Sequence, residues 1–176
     1  MNPHSKIAVG GHGISAMKWV GPSKIFVGCK GDHTVKIVNS ERAQVEEVMF
    51  TQHKVATCLD AVNEDLLLTG HEDALVKLWD VRTGAAERNF KSVYDAHSQW
   101  ISQVKFNNHV DNVFISSSYD GTVKLWDTRN EERPLSTLKR KEEVDNYKVF
   151  ALEWNGPSQI LSGGSDSHIA VHQIAE

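Results

Sequence analysis

Side chains able to do acid–base and nucleophilic chemistry recur along this sequence at regular intervals. Aspartates Asp32, Asp73, Asp120 and Asp166 each sit in a short Gly/Ser-rich stretch, 41, 47 and 46 residues apart. A histidine, a Ser or Thr and an aspartate fall within each of the two central units, which is the composition of a hydrolytic triad. Three features argue against that chemistry. The set recurs nearly whole around both Asp73 and Asp120, whereas an active site rarely repeats within a domain. A tryptophan ends each set (Trp79, Trp126), as suits a buried indole N–H in need of an acceptor. No GxSxG elbow and no glycine-rich phosphate loop ahead of a helix is present. The nine histidines are scattered and no CxxC or clustered Cys/His spacing occurs, so neither a metal nor a cofactor is expected.

The elements that position these residues are strands. KIFVGCKGDHTVKIVN, LLLTGHEDALVKLWD, VFISSSYDGTVKLWD and ILSGGSDSHIAVHQ align as four hairpins, each turning at its aspartate. Another strand precedes each hairpin: ISAMKWV (14–20), VATCLDAV (55–62), ISQVKF (101–106) and VFALEW (149–154). Apolar residues at every second position argue strand rather than helix. Short outer strands follow, such as VEEVMF (45–50) and PLSTLKR (134–140). In TVKLWD (122–127), Val123 and Leu125 face one side while Thr122, Lys124 and Trp126 face the other. Asp120-Gly121 closes the hairpin, because glycine tolerates the positive φ that such turns need. A small sheet of this kind must stack on neighbours to bury its faces.

The 176 residues are 40% apolar and 24% charged, a globular composition. The net charge of -4 and pI near 6.1 give no support for binding nucleic acid over the whole surface. Lys139, Arg140 and Lys141 form a short basic run, read as a solvated loop or as a local contact with an RNA backbone or an acidic partner. Two lone cysteines, Cys29 and Cys58, suggest a reducing compartment. The N-terminus is no signal peptide, and no apolar run approaches a membrane span.

The period is close to the roughly 40–45 residues of WD repeats, and Trp79-Asp80 and Trp126-Asp127 are WD dipeptides. The sequence resembles the WD-repeat family. That resemblance implies an all-β fold of four four-stranded antiparallel β-propeller blades, part of a seven-bladed ring. The blades are expected at about 10–50, 51–93, 94–140 and 141–176, with residues 5–9 as the outer strand of the last. In the family a histidine, a Ser or Thr, the turn aspartate and the tryptophan form a hydrogen-bonded tetrad. Carried over, one set is His97, Ser116, Asp120 and Trp126, and a second is His53, Thr69, Asp73 and Trp79. Partial sets are His12 with Asp32, and Ser162 with Asp166, where Asp145 stands in the histidine's place. The two outer blades are therefore expected to be less rigid than the central pair. Each tetrad would satisfy buried polar atoms that otherwise cost about 1–3 kcal/mol each.

Residues 94–173 carry a more specific resemblance. AHSQWISQVKF, SYDGTVKLWD, the PLSTLKR strand, and KVFALEW followed by ILSGGSD are similar to the last blades of the Ytm-type family, the WD subunit of the PeBoW complex. This implies a non-enzymatic scaffold in large (60S) ribosomal subunit biogenesis and rRNA processing, in the nucleolus and nucleoplasm. The implied partners are a Bop-type WD protein and, through it, pescadillo on pre-60S particles, with indirect or local rRNA contact and no membrane. The family's ubiquitin-like domain, which engages the ATPase midasin, is not in this sequence, so midasin-driven release is not carried over. The alternative is a WD adaptor such as a cullin-type ubiquitin-ligase substrate receptor, for which WDxR at Arg82 and Arg129 is the sign. Trp100, ahead of the third unit, is a candidate partner contact alongside those arginines. A seven-bladed ring needs about 280 residues. The chain is therefore expected to be the C-terminal part of a longer protein or a shortened product and, when isolated, to self-associate or to need a partner to be stable.

Overall fold

A computed structural model describes residues 6–10, 13–52, 54–82, 90–139 and 146–174. These residues form fifteen strands and no helix. The first sheet holds β1 (Ile14–Val20), β2 (Lys24–Cys29), β3 (Thr34–Asn39) and β4 (Gln44–Phe50). The second holds β5 (Ala56–Ala61), β6 (Leu66–His71), β7 (Leu75–Asp80) and β8 (Ser92–Asp95). The third holds β9 (Ile101–Phe106), β10 (Val113–Ser118), β11 (Thr122–Asp127) and β12 (Ser136–Lys139). The fourth holds β13 (Val149–Asn155), β14 (Gln159–Gly164) and β15 (Ile169–Gln173). Every sheet is an antiparallel meander in sequence order. Alternating side chains reach both faces of each strand, and both faces of the second and third sheets are buried.

The core lies between the sheets. Phe26, Val35 and Ile37 of the first sheet pack on Leu59, Leu67 and Trp79 of the second. Leu68, Val76 and Leu78 pack on Val104, Phe106 and Trp126 of the third. Ile115, Val123 and Leu125 pack on Leu152 and Ile160 of the fourth. Polar ties cross the same interfaces. Lys18 Nζ lies 2.6 Å from Asp60 Oδ1, and Phe106 N–H donates to the other Asp60 oxygen at 2.9 Å. Tyr94 O–H reaches the Thr128 carbonyl, and Leu152 N–H donates to Gln103 Oε1.

In each hairpin turn the residue after the aspartate adopts positive φ: His33 52°, Ala74 69°, Gly121 81° and Ser167 62°. Glycine is needed only at 121, where a Cβ would stand 2.7 Å from the carbonyl oxygen of Tyr147, just ahead of the fourth sheet. The other three turns rely on the aspartate, whose carboxylate bonds its own turn.

Of the outer strand expected at residues 5–9, residue 5 lies outside the described residues. Residues 6–10 carry no strand, and the fourth sheet has three strands among the described residues. Ile7 and Val9 instead pack over Val27, Cys29 and Val38 on the outer face of the first sheet. The Val9 carbonyl accepts from Lys36 Nζ at 2.6 Å. Covering an open apolar face outweighs adding one strand to an exposed edge.

Candidate functional site

The third sheet assembles the set His97, Ser116, Asp120 and Trp126. The alternation of β10 points Ser116 at the second sheet, and Trp126 stands opposite Phe114 on β11, facing the same way. Trp126 Nε1–H donates to Ser116 Oγ at 3.0 Å. Ser116 Oγ lies 2.8 Å from His97 Nε2, and His97 Nδ1 lies 2.9 Å from Asp120 Oδ2. A carboxylate only accepts, so Nδ1–H points at Asp120 and Nε2 faces the serine hydroxyl. Asp120 also takes Ser98 N–H at 3.0 Å and the Thr122 hydroxyl at 2.7 Å. Burial disfavours its charge, but these donors outweigh burial and hold its carboxyl well below the usual range. Ser116 is fully buried. Its oxygen is bonded on both sides, which leaves no approach for a substrate.

The second sheet holds the Thr69 and Trp79 part of its expected set. Trp79 Nε1–H donates to Thr69 Oγ1 at 2.8 Å, but the imidazole meeting that hydroxyl is His71 Nε2, at 2.7 Å. His53 lies outside the described residues. Thr69 and His71 are two apart on β6 and so share a face, a signal the sequence carried. His71 is fully buried. Burial, with the Lys77 charge behind it, pushes its pKa down to about 3, against the pull of the Lys54 and Val55 backbone. Asp73 is bonded by Leu75 N–H of its own turn at 3.3 Å.

The outer sheets keep parts of the pattern. In the fourth, Ser162 Oγ meets His172 Nε2 at 3.0 Å, an imidazole where the central sheets have an indole. Asp166 accepts His168 N–H at 3.2 Å, and Asp145 lies outside the described residues. In the first sheet Asp32 takes the Thr34 hydroxyl at 2.7 Å and Lys36 Nζ at 2.6 Å. Burial opposes ionisation there too, yet Lys36 and Thr34 draw its pKa down. Gly28 pairs with Val35 across six intervening residues, whereas the equivalent pair in the third sheet, Ser117 with Val123, spans five, so the first turn holds one extra residue. The opposite number of Ser116 is consequently Val27, which faces Lys36 as Ser116 faces Lys124. His12 lies outside the described residues.

The remaining candidates are on the surface. Arg82 Nε–H donates to Asp80 Oδ1 at 2.9 Å, and Nη2 lies 2.5 Å from Oδ2. Arg129 repeats this clamp on Asp127, at 2.8 and 2.5 Å. The Arg82 bonds hold the Asp80 pKa down to about 2. WDxR therefore closes on itself, although both arginine side chains stay largely exposed. Trp100 is 54% exposed and stacks on Tyr119 at 6.3 Å. Tyr119 meets the edge of Phe150 at 5.5 Å, and Lys148 Nζ lies over its ring at 5.3 Å. The sequence reading found Trp100 but missed Tyr119 and Phe150. Only the stacking of the third and fourth sheets brings them together. Beside this ridge runs a groove of about 540 Å³ bordered by Glu72, Asp73, Trp100, Tyr119 and Lys148. Of the basic run, Lys139 ends β12 and is exposed, while Arg140 and Lys141 lie outside the described residues. Among the described residues, no group of three or more His, Cys, Asp or Glu could hold a metal ion.

Comparison with known proteins agrees with this architecture. The family model "WD domain, G-beta repeat" matches residues 45–80 and 88–127. A "Ribosome biogenesis protein WDR12 homolog" of Drosophila pseudoobscura pseudoobscura is 32% identical over 170 residues, 94% of this chain and 39% of that protein. The homolog of Anopheles gambiae is 32% identical over 160 residues, 90% of this chain and 36% of that protein. The chain thus spans under half the length of these curated relatives. A chain of the crystal structure of the mitotic checkpoint complex superposes with a TM-score of 0.77, over 91% of this chain and 49% of that one. At 22% identity, that likeness speaks for the fold alone.

Proposed function

We propose that this chain, a WD40-repeat β-propeller protein homologous to ribosome biogenesis proteins, is a non-enzymatic scaffold in maturation of the large ribosomal subunit. It binds a Bop-type WD subunit and, through it, pescadillo, in the nucleolus and nucleoplasm. The observation that carries the reading is how the polar groups are used. The residues that could have formed a catalytic triad, His97, Ser116 and Asp120, are consumed by bonds inside the fold. The surface offers instead a ridge of exposed Trp100 and Phe150 with half-buried Tyr119 between them, beside a groove. Exposed aromatics next to a concavity are the kind of anchor protein interfaces favour. The homologues' names support the process.

Affinity purification of the tagged full chain tests this. Large-subunit precursors with Bop-type and pescadillo proteins are the expected catch, reduced at least tenfold by Trp100→Ala. A cullin adaptor recovered in their place would favour a ubiquitin-ligase receptor built around Arg82 and Arg129. Recovery of neither class overturns both readings.

A further inference from the structure

The four hairpins are in register, so one place can be followed from sheet to sheet. A single backbone bond repeats in all of them. Lys30 N–H donates to the Gly13 carbonyl, Glu72 N–H to that of Val55, Tyr119 N–H to that of Trp100 and Ser165 N–H to that of Lys148. The fold therefore demands no particular side chain at either end of this bond, and only the third sheet has an aromatic pair there. The first strand of each sheet also carries one bulged residue: Ser15, Thr57, Ser102 and Phe150. A bulge re-aims its side chain, and a small hydroxyl residue serves in three sheets of the four.

These two departures from the repeat adjoin. Trp100 and Tyr119 stack with their planes 26° apart, and Phe150 stands at 78° to Tyr119. The three rings wall a pocket of about 270 Å³ whose other lining residues are Thr57, Ile101 and Ser102. Both hydroxyls are already engaged. Thr57 O–H donates to the Ile101 carbonyl at 2.6 Å, and Ser102 Oγ lies 2.8 Å from Ser117 Oγ. No carboxylate lines the pocket among the described residues. Trp100 and Phe150 stay 54% and 47% exposed, so neither ring is spent on the core. The Tyr119 bond to Trp100, with the Ser118 hydroxyl on the Gln99 carbonyl at 2.9 Å, fixes the backbone under the rings.

Rings around an uncharged pocket select a particular guest. The face of a ring attracts positive charge, and Lys148 Nζ already lies 5.3 Å from the Tyr119 centroid. Lys148 borders the outer groove rather than this pocket. Glu72 and Asp73, which share that groove with Trp100, outnumber it in charge. A bare ammonium is strongly hydrated and would need acceptors in place of its water, which the pocket lacks. A trimethylammonium spreads its charge over methyl groups and has no N–H to satisfy.

We propose that Trp100, Tyr119 and Phe150 form an aromatic cage for a trimethylated lysine on a partner protein. The inference rests on Trp100 being a partner contact, and it adds what that contact recognises. Calorimetric titration of the full chain with acetyl-trimethyllysine amide tests it. Saturable binding is expected, lost in Trp100→Ala and in Phe150→Ala and kept in Tyr119→Phe, which retains the ring. Circular dichroism should show the sheets intact in every variant. Unmethylated lysine amide and the uncharged tert-butyl isostere should each bind about tenfold more weakly. Equal binding of the isostere overturns the proposal, because the pocket would then be merely apolar. So does undiminished binding in Trp100→Ala, or none at millimolar probe. Choline bound more tightly than the lysine derivative also overturns it, since the guest would then be no protein. Bop-type recovery that depends on Trp100 without any trimethyllysine binding would remove the cage and leave the scaffold reading standing. Trimethyllysine binding with no such recovery would do the reverse.

Discussion

The third sheet and the first are built on the same strand order, yet they lock in different ways. In the third, the turn aspartate anchors a bonded line running through His97 and Ser116 to the Trp126 indole. In the first, one extra turn residue puts Val27 where the hydroxyl belongs, and Lys36 reaches back to the aspartate. Asp32 and Asp120 both remain, because each also bonds its own turn through Thr34 or Thr122. The turn aspartate is a local device, whereas the rest of the tetrad belongs to the packing between sheets. It persists only where a neighbour buries it.

Substitutions at five positions break or sharpen this comparison, the largest effect first. Trp126→Ala removes a buried indole and its N–H donor to Ser116 Oγ, and should cost about 3–5 kcal/mol. Val38→Ala, at the matching place in the first sheet, should cost about 2 kcal/mol. Urea denaturation followed by circular dichroism measures both, and equal losses would mean that the outer sheet is as firmly locked as the central one.

Acid should act first on the second sheet. The folded state holds His71 unprotonated down to pH about 3, while the unfolded chain takes up that proton near pH 6.5. Stability from this group is therefore complete above about pH 6.5 and declines as pH falls toward 3. Between pH 7 and 5 the loss should be about 2 kcal/mol. Asp120 and Asp32, with pKa values lowered in the fold, add losses only below about pH 4. Urea midpoints across pH 7 to 4.5 should slope for the native chain and flatten in His71→Gln. An unchanged slope in that variant removes His71 as the cause.

The smallest effect belongs to the exposed arginines. Arg82→Ala and Arg129→Ala should leave the thermal midpoint unchanged, since each makes only a solvent-screened pair with its own turn. A loss of partner recovery without a change in that midpoint would identify them as contact residues.

The strands were legible in the sequence because alternation with period two is a property of each strand alone. Asp120 in its turn was legible for the same reason, since the turn conformation is settled by adjacent residues. His71 was not singled out, although its spacing from Thr69 put both on one face. Which imidazole meets a buried hydroxyl is decided by burial between sheets. The Trp100, Tyr119 and Phe150 ridge was half legible, since its members come from two sheets 19 to 50 residues apart in sequence.

By itself, then, the sequence determined the repeat, the strand order and the aspartate turns, all of which depend on neighbours a few residues away. Only the tertiary structure decided that Val27 takes a serine's place and that Ile7 and Val9 pack on the first sheet. Those outcomes depend on register and on competition for buried surface between distant strands, and no local pattern encodes the winner.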